Sequence, residues 1–359
     1  MQVVRYAMIG FGGIAENRIA KEGFACDAAR FKPLKQAVLV GATDVNAKRR
    51  RAAQALGLTW YRDAAAVLSD PAVDAVFVAT NNLSHAEVAR QALEAGKAVI
   101  VEKPLAPTSR EARMLVKLAQ KKKLSLSVDH MMTHNVLNLK ARDLVSDGKL
   151  GKVNDACFHM QFAYGYDPAE AATWRCSNRA EMGGPIGDVA SHCFYMAEFV
   201  LGSRIKAIRA VYFPKRMAIK VEDGAFIQCD LANGVTCSVI VSFCDPRGGL
   251  GGTLSSLGYE IYGDAAVLRS YGTLFQLSGH AGEPFKLRLE LDTIARLQSF
   301  TVKRPANIYQ GVIVEHAASV LNGKPMTGED GLHNVLLCEA AHTSASKGGK
   351  TVVVRQVSS

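Results

Sequence analysis

No Cys-x-x-Cys pair occurs in this chain. None of its eight cysteines (Cys26, Cys157, Cys176, Cys193, Cys229, Cys237, Cys244 and Cys338) stands at a zinc-like spacing from histidine. A zinc ribbon and a dithiol redox motif are therefore excluded, and the cysteines, mostly inside apolar segments, read as reduced core residues. No apolar run is long enough to cross a bilayer, so no membrane partner is expected. No signal-peptide layout precedes the strand-like Val3 to Ile9, which makes a cytoplasmic location the default expectation. Repeats and low-complexity linkers are also lacking. Positive charge is in excess, with Lys+Arg 43 against Asp+Glu 33 and a net charge of +10. Its two clusters, Lys48-Arg49-Arg50-Arg51 and Lys121-Lys122-Lys123, fall in helix-like stretches without interleaved aromatics. They read as solvated faces, not a nucleic-acid surface, although a basic surface also suits an anionic cofactor or substrate.

What is present fits an ordinary two-domain globular chain: 359 residues, 48% apolar and 21% charged. Val3 to Ile9 has a buried-strand pattern and runs into Gly10-Phe-Gly12-Gly13-Ile14-Ala15, which opens a helix-like segment. This is a Gly-x-Gly-x-x-Gly/Ala fingerprint in its required setting, strand before and helix after. Gly10 permits the tight turn, Gly12 lets the backbone approach a pyrophosphate, and Ala15 is small where helix meets strand. Gly12, Gly13 and Ile14 lead into a helix N-terminus whose N–H groups and dipole favour phosphate. A second strand, Ala37 to Thr43, ends at Asp44. A carboxylate there can accept both ribose hydroxyls and would repel a 2′-phosphate, which argues for NAD. Arg49 to Arg51 keep NADP open, and Lys21 to Lys35 read as an inserted loop. The plain alternative for Asp44 is a helix N-cap.

Helix and strand patterns then alternate: helix Ala64 to Leu68, strand Val73 to Ala79, helix Ser84 to Ala95, strand Ala98 to Val101, helix Ser109 to Lys121, strand Leu124 to Val128. Such repeats predict a doubly wound parallel sheet over residues 1–129. Ligands bind such sheets at the carboxyl ends of the strands. Gly10, Asp44, Thr80-Asn81, Glu102-Lys103 and Asp129-His130 all fall at that edge. Val99-Ile-Val-Glu-Lys-Pro104 stands out among them. A charged pair leaving a buried strand needs a reason, and Lys103 can hold a substrate hydroxyl or carry a proton.

The stretches Ala79-Thr-Asn-Asn-Leu-Ser-His85 and Ala95-Gly-Lys-Ala-Val-Ile-Val-Glu-Lys-Pro-Leu-Ala106 resemble the core signature of the Gfo/Idh/MocA oxidoreductases. The family consists of NAD(P)-dependent enzymes acting mostly on sugars, inositols and related polyols. The resemblance implies that Thr80, Asn81 and His85 lie beside the cofactor and that Lys103 reaches the substrate. Glu102 reads as a neighbour of the nicotinamide ribose.

Residues 130–359 change character. Strand-like runs at Val153 to Tyr164, Ile205 to Tyr212, Ala225 to Leu231, Val235 to Phe243 and Tyr259 to Tyr262 predict an α+β domain with a large, mainly antiparallel open sheet. Two helices, Tyr309 to Leu321 and Gly331 to Lys347, and a short strand Thr351 to Arg355 follow, and this segment can pack back on the first domain. The family uses the open sheet face for oligomerisation, which implies a homodimer or homotetramer. A glycine-rich stretch, Gly183-Gly-Pro-Ile-Gly187, reads as a flexible loop able to close over a site. Asp188 and His192 follow at i and i+4, on one face of a helix beginning near Asp188. A cap plus a core histidine is the plain alternative, but Asp-x-x-x-His after such a loop matches the family's second catalytic signature. Trp174-Arg175 matches its loop touching cofactor or substrate.

One departure concerns the substrate. Where relatives have glycine and then arginine or tyrosine, this chain has Asp129-His-Met-Met-Thr-His-Asn135. His130, Met132 and Tyr164 join Lys103, Asp188 and His192 as pocket candidates. With Asp129 as the one nearby carboxylate, no metal is expected. The expected chemistry is hydride exchange with a CH–OH group, with Lys103, Asp188 and His192 as the catalytic set. Either Lys103 or His192 could take the first proton. Two other readings exist: a glycosidase that retains NAD and works by transient oxidation and elimination, and a non-catalytic sugar or dinucleotide sensor.

Overall fold

A computed structural model describes residues 2–244, 257–274, 287–302 and 307–355. The chain divides into two compact units. One comprises Met1–Met131 and Asn307–Val335, the other Met132–Ala306 and Leu336–Ser359.

The first unit holds six strands: β1 (Val4–Ile9), β2 (Ala37–Thr43), β3 (Thr59–Trp60), β4 (Ala75–Val78), β5 (Ala98–Val101) and β6 (Leu126–Val128). All pair in parallel, in the order β3-β2-β1-β4-β5-β6. The interior strands β4 and β5, Ala-Val-Phe-Val and Ala-Val-Ile-Val, are buried at every position, as a sheet covered on both faces requires. Strand order reverses between β1 and β4, the place where such sheets open a crevice at their carboxyl edge. Helices Asn82–Glu94 and Ser109–Lys122 cross between strands. The second is capped by Thr108, which accepts from the Glu111 N–H and donates its hydroxyl to the Glu111 carboxylate at 2.6 Å. Tyr6, Phe24 and Phe77 form an aromatic core, and the Tyr6 hydroxyl meets Nδ1 of His316 at 2.8 Å.

Among its described residues the second unit carries nine strands: β7 (Val153–Gln161), β8 (Ile205–Tyr212), β9 (Gly224–Leu231), β10 (Thr236–Ser242), β11 (Leu257–Gly263), β12 (Ala266–Tyr271), β13 (Arg288–Thr293), β14 (Leu297–Thr301) and β15 (Val352–Val353). Their order is β14-β13-β12-β11-β7-β10-β9-β8-β15, antiparallel except where β7 meets β10. Period-2 alternation separates the faces. Ile208, Ala210, Ile227, Cys229, Val239 and Val241 are buried on one side. On the other, Val211 and its cross-strand partner Phe226 are exposed. Three strands, β12 to β14, and the helix Val136–Ser146 add to the elements expected from sequence. No helix among the described residues is long and apolar enough to cross a membrane. The eight cysteines are all free.

Candidate active site

The glycine fingerprint forms the turn between β1 and a π-wound helix, Ala15–Gly23. Gly10 has φ +89°, and a Cβ there would run into the backbone of Ala79 and Thr80, so the close approach of the β1 and β4 ends demands glycine. Gly12, Gly13 and Ile14 are exposed, a Cβ on either glycine would meet only open space, and no side chain caps the helix. Backbone N–H groups at a helix start with room above them are what a pyrophosphate needs. Asp44 is not the helix cap; Asn46 is. The Asp44 carboxylate instead accepts from the Phe11 N–H at 2.6 Å and the Asn46 N–H at 2.7 Å, tying the end of β2 to the fingerprint loop. Arg49 donates to the Phe11 carbonyl at 2.6 Å and pairs with Glu16. These residues fit a dinucleotide. Among the described residues no cluster suited to a metal ion occurs.

Farther along the same edge, strand register gathers the charged groups. The Glu102 N–H donates to the Val78 carbonyl and the Asp129 N–H to the Val101 carbonyl. The ends of β4, β5 and β6 therefore lie side by side. Glu102 and Lys103 are half-buried, and the Lys103–Pro104 peptide is cis. Asn81 caps its helix, accepting from the Ser84 N–H, and Thr80 lies half-buried beside it. His85 is 1% exposed. Its Nδ1 lies 2.7 Å from the Pro104 carbonyl and its Nε2 3.3 Å from the Thr80 carbonyl. Carbonyls only accept, so the shorter contact carries the ring proton in a neutral imidazole. Burial pushes His85 below its ordinary value, against the two carbonyls, and the ring stays neutral at neutral pH. It braces the Pro104 turn against the Thr80 turn.

In the second unit, Asp188 lies in the π-wound turn Ile186–Ala190 and His192 in the following helix Ser191–Leu201. Both are buried. Arg175 donates from Nε to Asp188 at 3.2 Å while its guanidinium lies over the Trp174 ring. Nδ1 of His192 meets the Tyr195 hydroxyl at 2.9 Å, which fixes the imidazole plane. Trp174-Arg175 is thus coupled to the Asp-His pair through Asp188. Tyr164 reaches Thr173 at 3.3 Å and packs on Phe243.

Two sequence expectations need correction. The glycine-rich stretch is not a loose lid. Residues 182–190 are buried, and Cβ atoms at Gly183 and Gly187 would strike the backbone carbonyls of Trp174 and Met182. Gly184 packs on the Glu222 carboxylate, which accepts from the Ile186 N–H at 3.0 Å. Met132, expected along a pocket, has no exposed surface, while His130 is half-buried. Sequence reasoning missed Tyr195, Glu222 and Tyr309, and it placed Asp129 at the strand edge without giving it a role. Tyr195 had a signal, its i+3 spacing from His192.

The family model described as "Oxidoreductase family, NAD-binding Rossmann fold" matches residues 4–130, and the one described as "GFO/IDH/MocA C-terminal domain" matches residues 138–269. The chain belongs to the Gfo/Idh/MocA family. It is an NAD(P)-dependent oxidoreductase with a Rossmann domain. Among similar Gfo/Idh/MocA proteins is the 1,5-anhydro-D-fructose reductase of Ensifer adhaerens, 29% identical over 293 residues, which are 79% of this chain and 80% of that one. The scyllo-inositol 2-dehydrogenase (NADP(+)) of Bacillus subtilis is 28% identical over 297 residues, 80% and 81% of the two chains. A levoglucosan dehydrogenase solved with NADH and L-sorbose shares the fold at TM-score 0.81 and 22% identity, covering 99% of this chain and 100% of that one.

Proposed function

We propose that this Gfo/Idh/MocA protein moves a hydride between nicotinamide and a secondary alcohol or ketone of a sugar, polyol or glycoside. What supports the substrate class is the run of sugar and polyol enzymes among its relatives. What supports the chemistry is the charged edge of an NAD-binding sheet, with Lys103 at its centre. When bound, the cofactor supplies the hydride donor or acceptor. Lys103 hydrogen-bonds the reacting oxygen and stabilises its developing negative charge. Lys103 also exchanges a proton with that oxygen, and His192, its ring fixed by Tyr195, is the second proton carrier at the reacting carbon. Asp188 stabilises the imidazolium, and Arg175 holds Asp188 in place. Thr80, Asn81, Glu102 and the fingerprint residues hold the cofactor, with His85 bracing them from behind. His130 and Tyr164 shape the substrate side.

The test is spectroscopic. Purified protein is mixed with NAD or NADP and a panel of sugars, polyols and glycosides, and reduced nicotinamide is followed by absorbance. Lys103→Ala and His192→Ala should retain cofactor binding and lose turnover by about 100-fold or more. A fully active variant removes that residue from the mechanism. Release of a free sugar from a glycoside without net reduced nicotinamide would replace hydride exchange with oxidation-elimination.

A further inference from the structure

Asp129 takes no part in that mechanism, yet it is the most unusual carboxyl in the first unit. It follows β6 directly and is 1% exposed. Neither side-chain oxygen meets a hydrogen-bond partner among the described residues. Its backbone is pinned to Val101, which brings it beside the Glu102-Lys103 pair leaving β5. The buried hydroxyl of Tyr309, from the helix Ile308–Leu321, adds a second polar group without a hydrogen-bond partner to the same cluster. A buried carboxylate with no hydrogen bond is expensive, and a neighbouring carboxylate makes it more so.

We propose that Asp129 is the proton store of this strand edge: it carries a proton in the resting protein and passes it to Lys103 when that lysine has given up its own. The proposal deepens the reading of Lys103 as the group at the reacting oxygen and rests on it. In ketone reduction, a Lys103 N–H bond breaks and its proton joins the new alkoxide. The Asp129 O–H bond then breaks, directly or through one water, and its proton forms a new N–H bond on Lys103. The electron pair stays on Asp129, whose carboxylate now faces an ammonium, and water later returns the proton. Oxidation runs the same steps backwards. Asp129 touches no reacting atom in this scheme, so it is a positioning residue. Three charged or titratable groups act on it: Glu102 and Lys103 from the end of β5, and Tyr309 from its helix. Burial, then Glu102, hold its carboxyl well above the ordinary range, and Lys103 draws it back.

The test needs neither cofactor nor substrate, so its failure is separable from failure of the dehydrogenase reading. Infrared spectra of protein carrying 13C-labelled aspartate, taken as wild type minus Asp129→Asn, should show a protonated-carboxyl band at neutral pH. Glu102→Gln should shift its loss to lower pH, and Lys103→Met to higher pH. These two variants leave Asp129 intact and keep the test alive if D129N does not fold. Acylation of Lys103 by a small activated ester, read by peptide mass spectrometry at mildly alkaline pH, should be several-fold faster in D129N. A protonated band that moves in both variants, with faster Lys103 labelling, supports the store. An ionised Asp129 at neutral pH, a band unmoved by either variant, or unchanged Lys103 labelling overturns it.

Discussion

At the scale of single residues, burial pushes two groups of the first unit in opposite directions. His316 is wholly buried, with Nδ1 accepting from the Tyr6 hydroxyl and Nε2 donating to the Ser125 carbonyl at 3.4 Å. Burial lowers it from 6.5 to about 4. A lowered histidine contributes stability that is present above about pH 6.5 and lost as pH falls through about 4, at most about 3 kcal/mol. His316→Gln should flatten that part of the profile, measured as urea midpoints at several pH values between those limits. An unchanged acid slope would mean that His316 does not carry the effect. Asp129 has the opposite sign. Its raised value contributes stability that is complete below about pH 4 and declines as pH rises. Neither behaviour was legible in the sequence. Both histidine and aspartate appeared there as residue types at a strand end or in a helix, and the desolvation that decides their charge comes from contacts distant along the chain.

At the scale of elements, the strand ends were legible and the glycine-rich stretch was only half so. Runs such as Val99-Ile-Val101 announce a central parallel strand, and the residues after them must then lie at the carboxyl edge. The glycines at 183, 184 and 187 were legible as special, but not as packed, because their neighbours are Trp174, Met182 and Glu222. Glu222 is the anchor: 5% exposed, it accepts from the Ile186 N–H and pairs with Arg179 at 3.4 Å. Glu222→Ala leaves that buried N–H unpaired and should cost about 1–3 kcal/mol in urea unfolding, whereas Glu222→Gln keeps an acceptor and should cost less. Equal losses in the two variants would point to the Arg179 pair instead. Strands β12 to β14 were missed for another reason. Their alternation is short, as in Arg288-Leu-Glu-Leu-Asp292, and the partners that make it a sheet lie on neighbouring strands.

At the scale of the whole molecule, cofactor choice follows from what Asp44 and Arg49 are already doing. The carboxylate stands at the end of β2, and the guanidinium is occupied by Phe11 and Glu16. A 2′-phosphate would meet the former without gaining the latter. NAD should therefore raise the melting temperature more than NADP at equal concentration; a ligand at 100 times its dissociation constant adds about 2.7 kcal/mol. Larger stabilisation by NADP would reverse the assignment of Asp44.

The open sheet face of the second unit makes the last case. Cross-strand pairing puts Val353, Val211 and Phe226 on one side of β15, β8 and β9, at 72%, 55% and 56% exposure. Ile240 continues that side on β10, half-buried. Arg209, Gln228 and Asp230 share that side, so exposed apolar residues and charges alternate across it, and a second copy of the same face is the simplest closed partner. We expect sedimentation to give a dimer or tetramer for the wild type. Phe226→Asp places a charge at the centre of the face, while the opposite, buried side of β9 is untouched. It should shift the distribution toward monomer by a concentration-dependent equilibrium and leave the circular-dichroism spectrum as it was. A wild type that sediments as a monomer at every concentration would remove self-association from this face, and a Phe226→Asp protein that stays oligomeric would move the interface elsewhere.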